Sequence, residues 1–137
     1  MNEIIENIDP PGHVKKGVYT PAKKVDLGNC YLVYVSGIQA PFDDNGKTCI
    51  DDIVIQTEQV FEDISNILKC AGATLDDVVK AVIYLTDMKD FEIVSPIRAK
   101  YFAKSCPTST MVECNKFVRN GAKIEIQVEA IVPKIRG

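Results

Sequence analysis

Two predicted strands, residues 30–35 and 81–85, are apolar on both faces. Alternate residues of a strand point to opposite faces, so Ile83 and Tyr84 in the second strand face opposite ways. A strand that is apolar on both faces is buried on both faces. Two helices can cover one face of a small sheet, and in a chain of 137 residues the most economical cover for the other is a second copy. We therefore expect an oligomer rather than a monomer with an unusually apolar sheet.

The length of the chain predicts a single domain, placed at residues 17–137, after an N-terminal arm at residues 1–16. Pro10, Pro11 and Gly12 mark the arm as irregular. The predicted order is β-β-α-β-α-β-β, with Ser95 and Pro96 read as the N-cap and first residue of the second helix. This order makes the chain an α+β protein. Its strands are predicted near 19–25, 30–36, 78–85, 110–115 and 123–132, and its helices near 54–71 and 95–102.

Composition excludes several classes of protein. The net charge of −3, from 16 Lys+Arg and 19 Asp+Glu, disfavours nucleic-acid binding. Five cysteines without C-x-x-C spacing and a single histidine, His13, indicate no metal site and no disulfide framework. No apolar run approaches the length of about 20 residues that a membrane span needs. The start of the chain lacks the basic and apolar regions of a signal peptide, so we expect a cytoplasmic protein.

The last predicted strand alternates cleanly between apolar and polar residues. One face carries Glu125, Gln127 and Glu129, spaced about 6.6–6.8 Å apart along a strand. Two carboxylates beside an amide can hold and activate a water molecule if this face lines a cleft. The alternative is a strand face that is simply solvated.

Several segments, in order along the chain, resemble motifs of the Rid/YjgF family, which also carries the name L-PSP endoribonuclease. The resemblance covers residues 17–133, nearly the whole chain. It rests on Gly17-Val18-Tyr19-Thr20, on Val35-Ser36-Gly37, on Asp87-Met88-Lys89-Asp90-Phe91, on Tyr101-Phe102 with Pro107, and on Gly121-Ala122-Lys123-Ile124-Glu125-Ile126.

The resemblance implies a chorismate-mutase-like fold, in which a mixed six-stranded sheet carries two helices on one face. Three subunits are expected to pack their sheets into a central barrel, with a small-molecule cleft between neighbours. The activity it implies is hydrolysis of reactive 2-imino acids, released by enzymes such as threonine dehydratase, to 2-keto acids and ammonia. No metal or cofactor is expected, and the partners that the resemblance implies are other copies of the chain and a small ligand such as a 2-imino or 2-keto acid.

The resemblance also assigns roles to individual residues. Tyr19 is expected to border the cleft, and the backbone of Gly37 to approach the ligand. Glu125 corresponds to the family glutamate that positions the attacking water. Gln127 or Glu129 takes that position if the strand is shifted in register. A packed aromatic residue and a plain turn glycine are the structural alternatives for the first two.

The chain departs from the family pattern at the residues that would bind the substrate. The family arginine that grips the substrate carboxylate corresponds to Ser109, and a neutral hydroxyl cannot replace a guanidinium fork. Met111 stands where cysteine is frequent, and Ser95 stands in place of an asparagine. An unpaired carboxylate would cost about 2–5 kcal/mol, so we expect slow hydrolysis of 2-imino acids unless another cation takes part. The candidate cations are Arg98, Lys116 and Arg119.

Three functions are compatible with these observations. The first is an imine deaminase, or a related hydrolase with an altered substrate, which would make the chain an enzyme. The second is a non-catalytic trimer that binds a metabolite, which fits the missing arginine. The third is an endoribonuclease, which the negative charge and the single histidine disfavour.

Overall fold

A computed structural model of the chain describes residues 4–12 and 17–135. Within them the chain forms six strands and two longer helices, joined in places by short 3-10 turns. The elements in chain order are β1 (Ile5–Ile8), β2 (Ala22–Asp26), β3 (Cys30–Gln39), α1 (Ile53–Cys70), β4 (Val78–Leu85), α2 (Phe91–Tyr101), β5 (Thr108–Glu113) and β6 (Ile124–Pro133).

The strands form one mixed sheet in the order β1-β2-β3-β6-β4-β5. Neighbouring strands are antiparallel, except that β4 and β5 run parallel. Both helices lie on the same face of this sheet, and the core between the helices and the sheet is apolar. Its largest fully buried apolar side chains include Phe61, Ile64, Ile67, Leu68, Ile83, Leu85, Ile124 and Ile126. The α+β class and the mixed six-stranded sheet are therefore confirmed.

The predicted order of elements lacked strand β1. Residues 5–8 of the predicted arm pair antiparallel with residues 22–25 and form an edge of the sheet. The strand was missed because it is short and, of its four residues, Ile8 alone is buried, so it carries no alternating pattern. His13, with the rest of residues 13–16, lies outside the described residues.

The predicted start of the second helix was wrong. α2 begins at Phe91, directly after the 3-10 turn Met88–Asp90, so Ser95 and Pro96 lie inside the helix. The turn is capped by Asp87, whose carboxylate accepts a hydrogen bond from the N–H of Lys89 at 2.9 Å. Proline inside a helix removes one backbone hydrogen bond, and the serine beside it is free to use its side chain in another way.

The first helix, Ile53–Cys70, begins and ends within about one residue of the predicted bounds. Asp52 is its N-cap and accepts a hydrogen bond from the backbone N–H of Ile55 at 3.0 Å. Gly72 follows its last turn with a φ of +80°, a conformation that glycine adopts without strain. The buried side of α1 packs on β3 and β6, the strands at the centre of the sheet.

The face of the sheet away from the helices, which we call the open face, exposes large apolar side chains in the single chain. Tyr34, Val112 and Ile131 are 44%, 39% and 42% exposed. Val82 and Tyr84 are half-buried there. This is therefore the face that the sequence predicts to be covered by another copy of the chain.

No helix in residues 4–12 and 17–135 combines the length and apolar character needed to cross a membrane.

Candidate functional site

Glu125 lies on the open face, next to an irregularity in the neighbouring strand. Val35 pairs with Val128 and Ile38 pairs with Ile126, so two residues of β3 stand opposite one residue of β6. This is the geometry of a β-bulge, which redirects side chains beside it.

The carboxylate of Glu125 is packed directly against Gly37 of this bulge. A Cβ atom on Gly37 would lie 2.7 Å from both Cδ and Oε2 of Glu125. Real Cβ atoms do not approach other atoms so closely, so glycine is the residue that leaves room for the carboxylate. The structure therefore brings two of the predicted site residues together.

The other carboxylate oxygen of Glu125 is held by Gln39. The amide Nε2 of Gln39 donates a hydrogen bond to Oε1 of Glu125 at 2.8 Å. The amide oxygen of Gln39 accepts from the backbone N–H of Arg119 at 3.3 Å, which fixes the orientation of the amide. Gln39 was not among the predicted site residues. The sequence did carry a signal, because Gln39 is two residues after Gly37 and so shares its face of the strand.

Arg119 holds the end of β3 in place. Its Nη1 donates to the carbonyl oxygen of Ala40 at 2.7 Å, and its guanidinium lies 5.3 Å from the ring centroid of Phe42. Through these contacts the Arg119 side chain stabilises the conformation of the chain around Gln39. Arg119 therefore supports the site indirectly, through the part of the chain around Gln39.

Cys114 is electrostatically coupled to Glu125. Burial raises the pKa of the Cys114 thiol above its ordinary value, and the negative charges of Glu125 and Glu113 raise it further. The reactive form of cysteine is the thiolate, so a raised pKa keeps this thiol protonated and unreactive at neutral pH. The group beside Glu125 is thus not an activated nucleophile.

Tyr19 lies in a separate depression of about 430 Å³. Tyr34, Ser36 and Gln127 also line this depression, and Tyr19 is 55% exposed. The hydroxyl of Ser36 donates to the carbonyl oxygen of Thr20 at 2.7 Å, which ties the segment before β2 to the bulge. Within one chain, Tyr19 is thus associated with Gln127 rather than with Glu125.

Glu129 has a different environment from Glu125. It pairs with Lys80 across β4 and β6, with 3.8 Å between Oε2 and Nζ. The side chains are 29% and 58% exposed, as in a surface ion pair. Of the three polar residues on this face, Glu125 is the one whose carboxylate packs against the position of a Gly37 Cβ atom.

Ser95 and Ser109 meet at the guanidinium of Arg98. Nη2 of Arg98 donates to Oγ of Ser95, and Nη1 donates to Oγ of Ser109, each at 3.2 Å. Phe91 lies on the same helix, with its ring centroid 6.0 Å from Cζ of Arg98. The structure thus brings together two of the three positions at which the chain departs from the family pattern, and it adds an arginine.

These serines lie on the helix side of the sheet. Ser109 pairs with Ala81, which is buried beneath the helices, whereas Glu125 pairs with Tyr84 on the open face. Met111 is on the same side as Ser109 and packs, partly buried, against the core. Within one chain, therefore, the serine and arginine group and the Glu125 group are on opposite faces.

In the part of the chain that the structure describes, no group of three or more His, Cys, Asp or Glu residues is placed to hold a metal ion. The Glu125 site consists of a carboxylate, an amide and exposed backbone. Such an arrangement can orient a water molecule and accept a proton from it.

The family model described as Endoribonuclease L-PSP matches residues 16–132. A RutC family protein of Pyrococcus horikoshii is 36% identical over 135 residues, which cover 98% of this chain and 99% of that protein. Reactive Intermediate Deaminase A of Arabidopsis thaliana, a chloroplast protein, is 37% identical over 111 residues, which cover 81% of this chain and 57% of that protein.

Among solved structures, a Mycobacterium tuberculosis protein described as a member of the YjgF/YER057c/UK114 family superposes with a TM-score of 0.70. It is 34% identical, and the match covers 83% of this chain and 86% of that one. Sequence motifs, sheet topology and these similarities agree. The chain belongs to the endoribonuclease L-PSP family, also called the Rid/YjgF family.

Proposed function

We propose that the chain is a hydrolase of small reactive imines, of the 2-imino acid deaminase type, with its active sites between the subunits of a homotrimer. The observation that carries this proposal is the Glu125 carboxylate, held by Gln39 and packed over Gly37 on an open face. The name of the Arabidopsis relative, a reactive intermediate deaminase, supports the same reaction class.

The proposed reaction needs one positioned base. Glu125 accepts a proton from a water molecule as the water oxygen bonds to the imine carbon, which gives a tetrahedral intermediate. Glu125 passes this proton to the nitrogen, which becomes an amino group. Glu125 then takes the proton of the new hydroxyl group and delivers it to the same nitrogen, the C–N bond breaks, and ammonia leaves as the carbonyl forms. Because Gln39 occupies Oε1, Oε2 above the Gly37 backbone is the oxygen proposed to contact the water.

The homotrimer supplies the cover that the open face lacks. Tyr34, Val112 and Ile131 are exposed in one chain, and exposed apolar side chains on one face of a sheet favour association. A trimer also allows residues on the helix side of one subunit to meet Glu125 of its neighbour at the subunit boundary, which one chain cannot do.

We expect light scattering in solution to give a mass near three times 15.1 kDa, independent of dilution over the micromolar range. Burial of the open face is the physical reason. A mass near that of one chain at every concentration would contradict both the assembly and a site between subunits.

The activity is tested by coupling threonine dehydratase, which releases 2-iminobutanoate, to this protein and following the formation of 2-oxobutanoate and ammonia. We expect the protein to accelerate their formation above the spontaneous rate, in proportion to its concentration. If the rate stays at the spontaneous value while 2-oxobutanoate binds in calorimetry, the chain is a metabolite-binding protein without turnover.

A further inference from the structure

We propose that Arg98 of α2 binds the carboxylate of the ligand and so selects 2-imino and 2-oxo acids over neutral imines and ketones. This inference rests on the proposed function, because it assigns the substrate class of the same site. It starts from the contact of the Arg98 guanidinium with Ser95 and Ser109.

The guanidinium of Arg98 is oriented by neutral groups. An arginine has five N–H donors, and the two serine hydroxyls accept from one nitrogen each, Nη1 and Nη2. The third neighbour is the ring of Phe91. None of these three partners carries a charge, so they hold the fork in place without neutralising it.

No carboxylate in the part of the chain that the structure describes forms an ion pair with Arg98. In residues 4–12 and 17–135 the four ion pairs all have lysine as the cation. Arg98 is also half-buried, which weakens screening by water and strengthens its attraction for an anion. A planar, positioned, uncompensated guanidinium is the group best suited to pair with a carboxylate through two hydrogen bonds.

The other two candidate cations are less well placed. Arg119 donates to the carbonyl oxygen of Ala40 and supports the chain around Gln39. Lys116 is exposed in the loop after β5, where a flexible ammonium has no fixed geometry. Of the three candidate cations, Arg98 is the one that the structure places beside Ser109. The positive charge that the family arginine would carry on β5 is therefore supplied from α2.

With Arg98 in this role, Ser109 does not weaken the binding of a carboxylate, contrary to the expectation from the sequence. Its hydroxyl, with that of Ser95, becomes a support for Arg98 rather than a substitute for arginine. Both hydroxyls are also small enough to leave the face of the guanidinium accessible to a ligand.

The test compares three variants by calorimetric titration with 2-oxobutanoate and with 2-butanone, which has the same ketone but lacks the carboxylate. Arg98→Gln is expected to weaken 2-oxobutanoate binding by about 30-fold or more, the lower end of what loss of one partner of a desolvated charge pair costs. Lys100→Gln removes a positive charge from the same helix and is expected to change binding by less than about twofold.

The third variant moves the charge instead of removing it. In Arg98→Gln/Ser109→Arg the guanidinium returns to β5, and we expect most of the affinity for 2-oxobutanoate to return with it. Circular dichroism and light scattering on each variant establish that the fold and the assembly are intact. The double variant also shows that a weak Arg98→Gln protein has lost a charge rather than its structure.

Unchanged 2-oxobutanoate binding in Arg98→Gln, or equal loss in Lys100→Gln, would overturn the inference, as would equal affinity of the natural protein for 2-butanone. The proposed function can fail separately. If the natural protein binds 2-oxobutanoate through Arg98 but does not hydrolyse 2-iminobutanoate, the inference stands and the catalysis does not. If hydrolysis occurs and is indifferent to Arg98, the catalysis stands and the inference does not.

Discussion

Replacing Glu125 by glutamine is expected to lower kcat for imine hydrolysis by about 100-fold or more. General acid–base catalysis by a positioned side chain contributes about 10²- to 10⁴-fold, and an amide cannot accept the proton. Glutamine has the shape of glutamate, so it fits above Gly37 and its oxygen can still accept the hydrogen bond from Gln39. We therefore expect the fold and the assembly to survive the change, and the coupled threonine dehydratase assay measures it.

Glu129→Gln is the matched control for this prediction. Glu129 lies on the same strand and the same face, four residues further on, and forms a partly exposed ion pair with Lys80. Such pairs contribute about 0–1 kcal/mol to stability, and we expect turnover to change by less than about twofold. If Glu129→Gln stops the reaction and Glu125→Gln does not, the catalytic carboxylate is Glu129, the shifted register that the sequence leaves open.

The largest expected loss of stability comes from Gln56→Met. The Gln56 side chain is fully buried, and its Nε2 donates to the carbonyl oxygens of Ile50 and Gly121 at 2.8 and 2.9 Å. Its Oε1 accepts from the backbone N–H of Lys123 at 2.8 Å. These hydrogen bonds are partly buried, and the loss of each one costs about 1 kcal/mol. We expect the free energy of unfolding to fall by about 3 kcal/mol, measured by denaturant titration.

Gln59→Met is the control on the same helix. The Oε1 atom of Gln59 is buried without a hydrogen-bond partner in the part of the chain that the structure describes, so removing it loses no hydrogen bond. We expect the free energy of unfolding to change by less than about 1 kcal/mol, or to rise. Equal losses in both variants would show that side-chain volume, and not the hydrogen bonds of Gln56, determines the stability of this helix.

Much of the fold could be predicted because its central strands and first helix carry strong local signals. The predicted strand 78–85 coincides with β4, and the turn glycines Gly28 and Gly121 have φ angles of +99° and +79°. The alternation along β6 predicted which side chains reach the open face. The short strand β1 has no such signal, because it depends on pairing with β2 at the edge of the sheet.

The site was predicted in part, because its key contacts join residues far apart in the chain. Gln39 meets Glu125 across 86 positions, and a bulge in β3 determines how that glutamate is oriented. The role of Ser95 could not be predicted, because the dipeptide Ser95-Pro96 can stand at the start of a helix or inside one. The helix in fact begins after the turn capped by Asp87, so the serine side chain is available to Arg98.

The most direct test of the account is a crystal structure of the protein with 2-oxobutanoate. We expect the ligand at a boundary between subunits of a trimer, with its carboxylate on Arg98 of one subunit. Its carbonyl carbon should face Glu125 of the neighbouring subunit, close to the Gly37 backbone. A ligand held within one chain, for example in the depression beside Tyr19 and Gln127, with Glu125 and Arg98 both remote from it, would contradict the account.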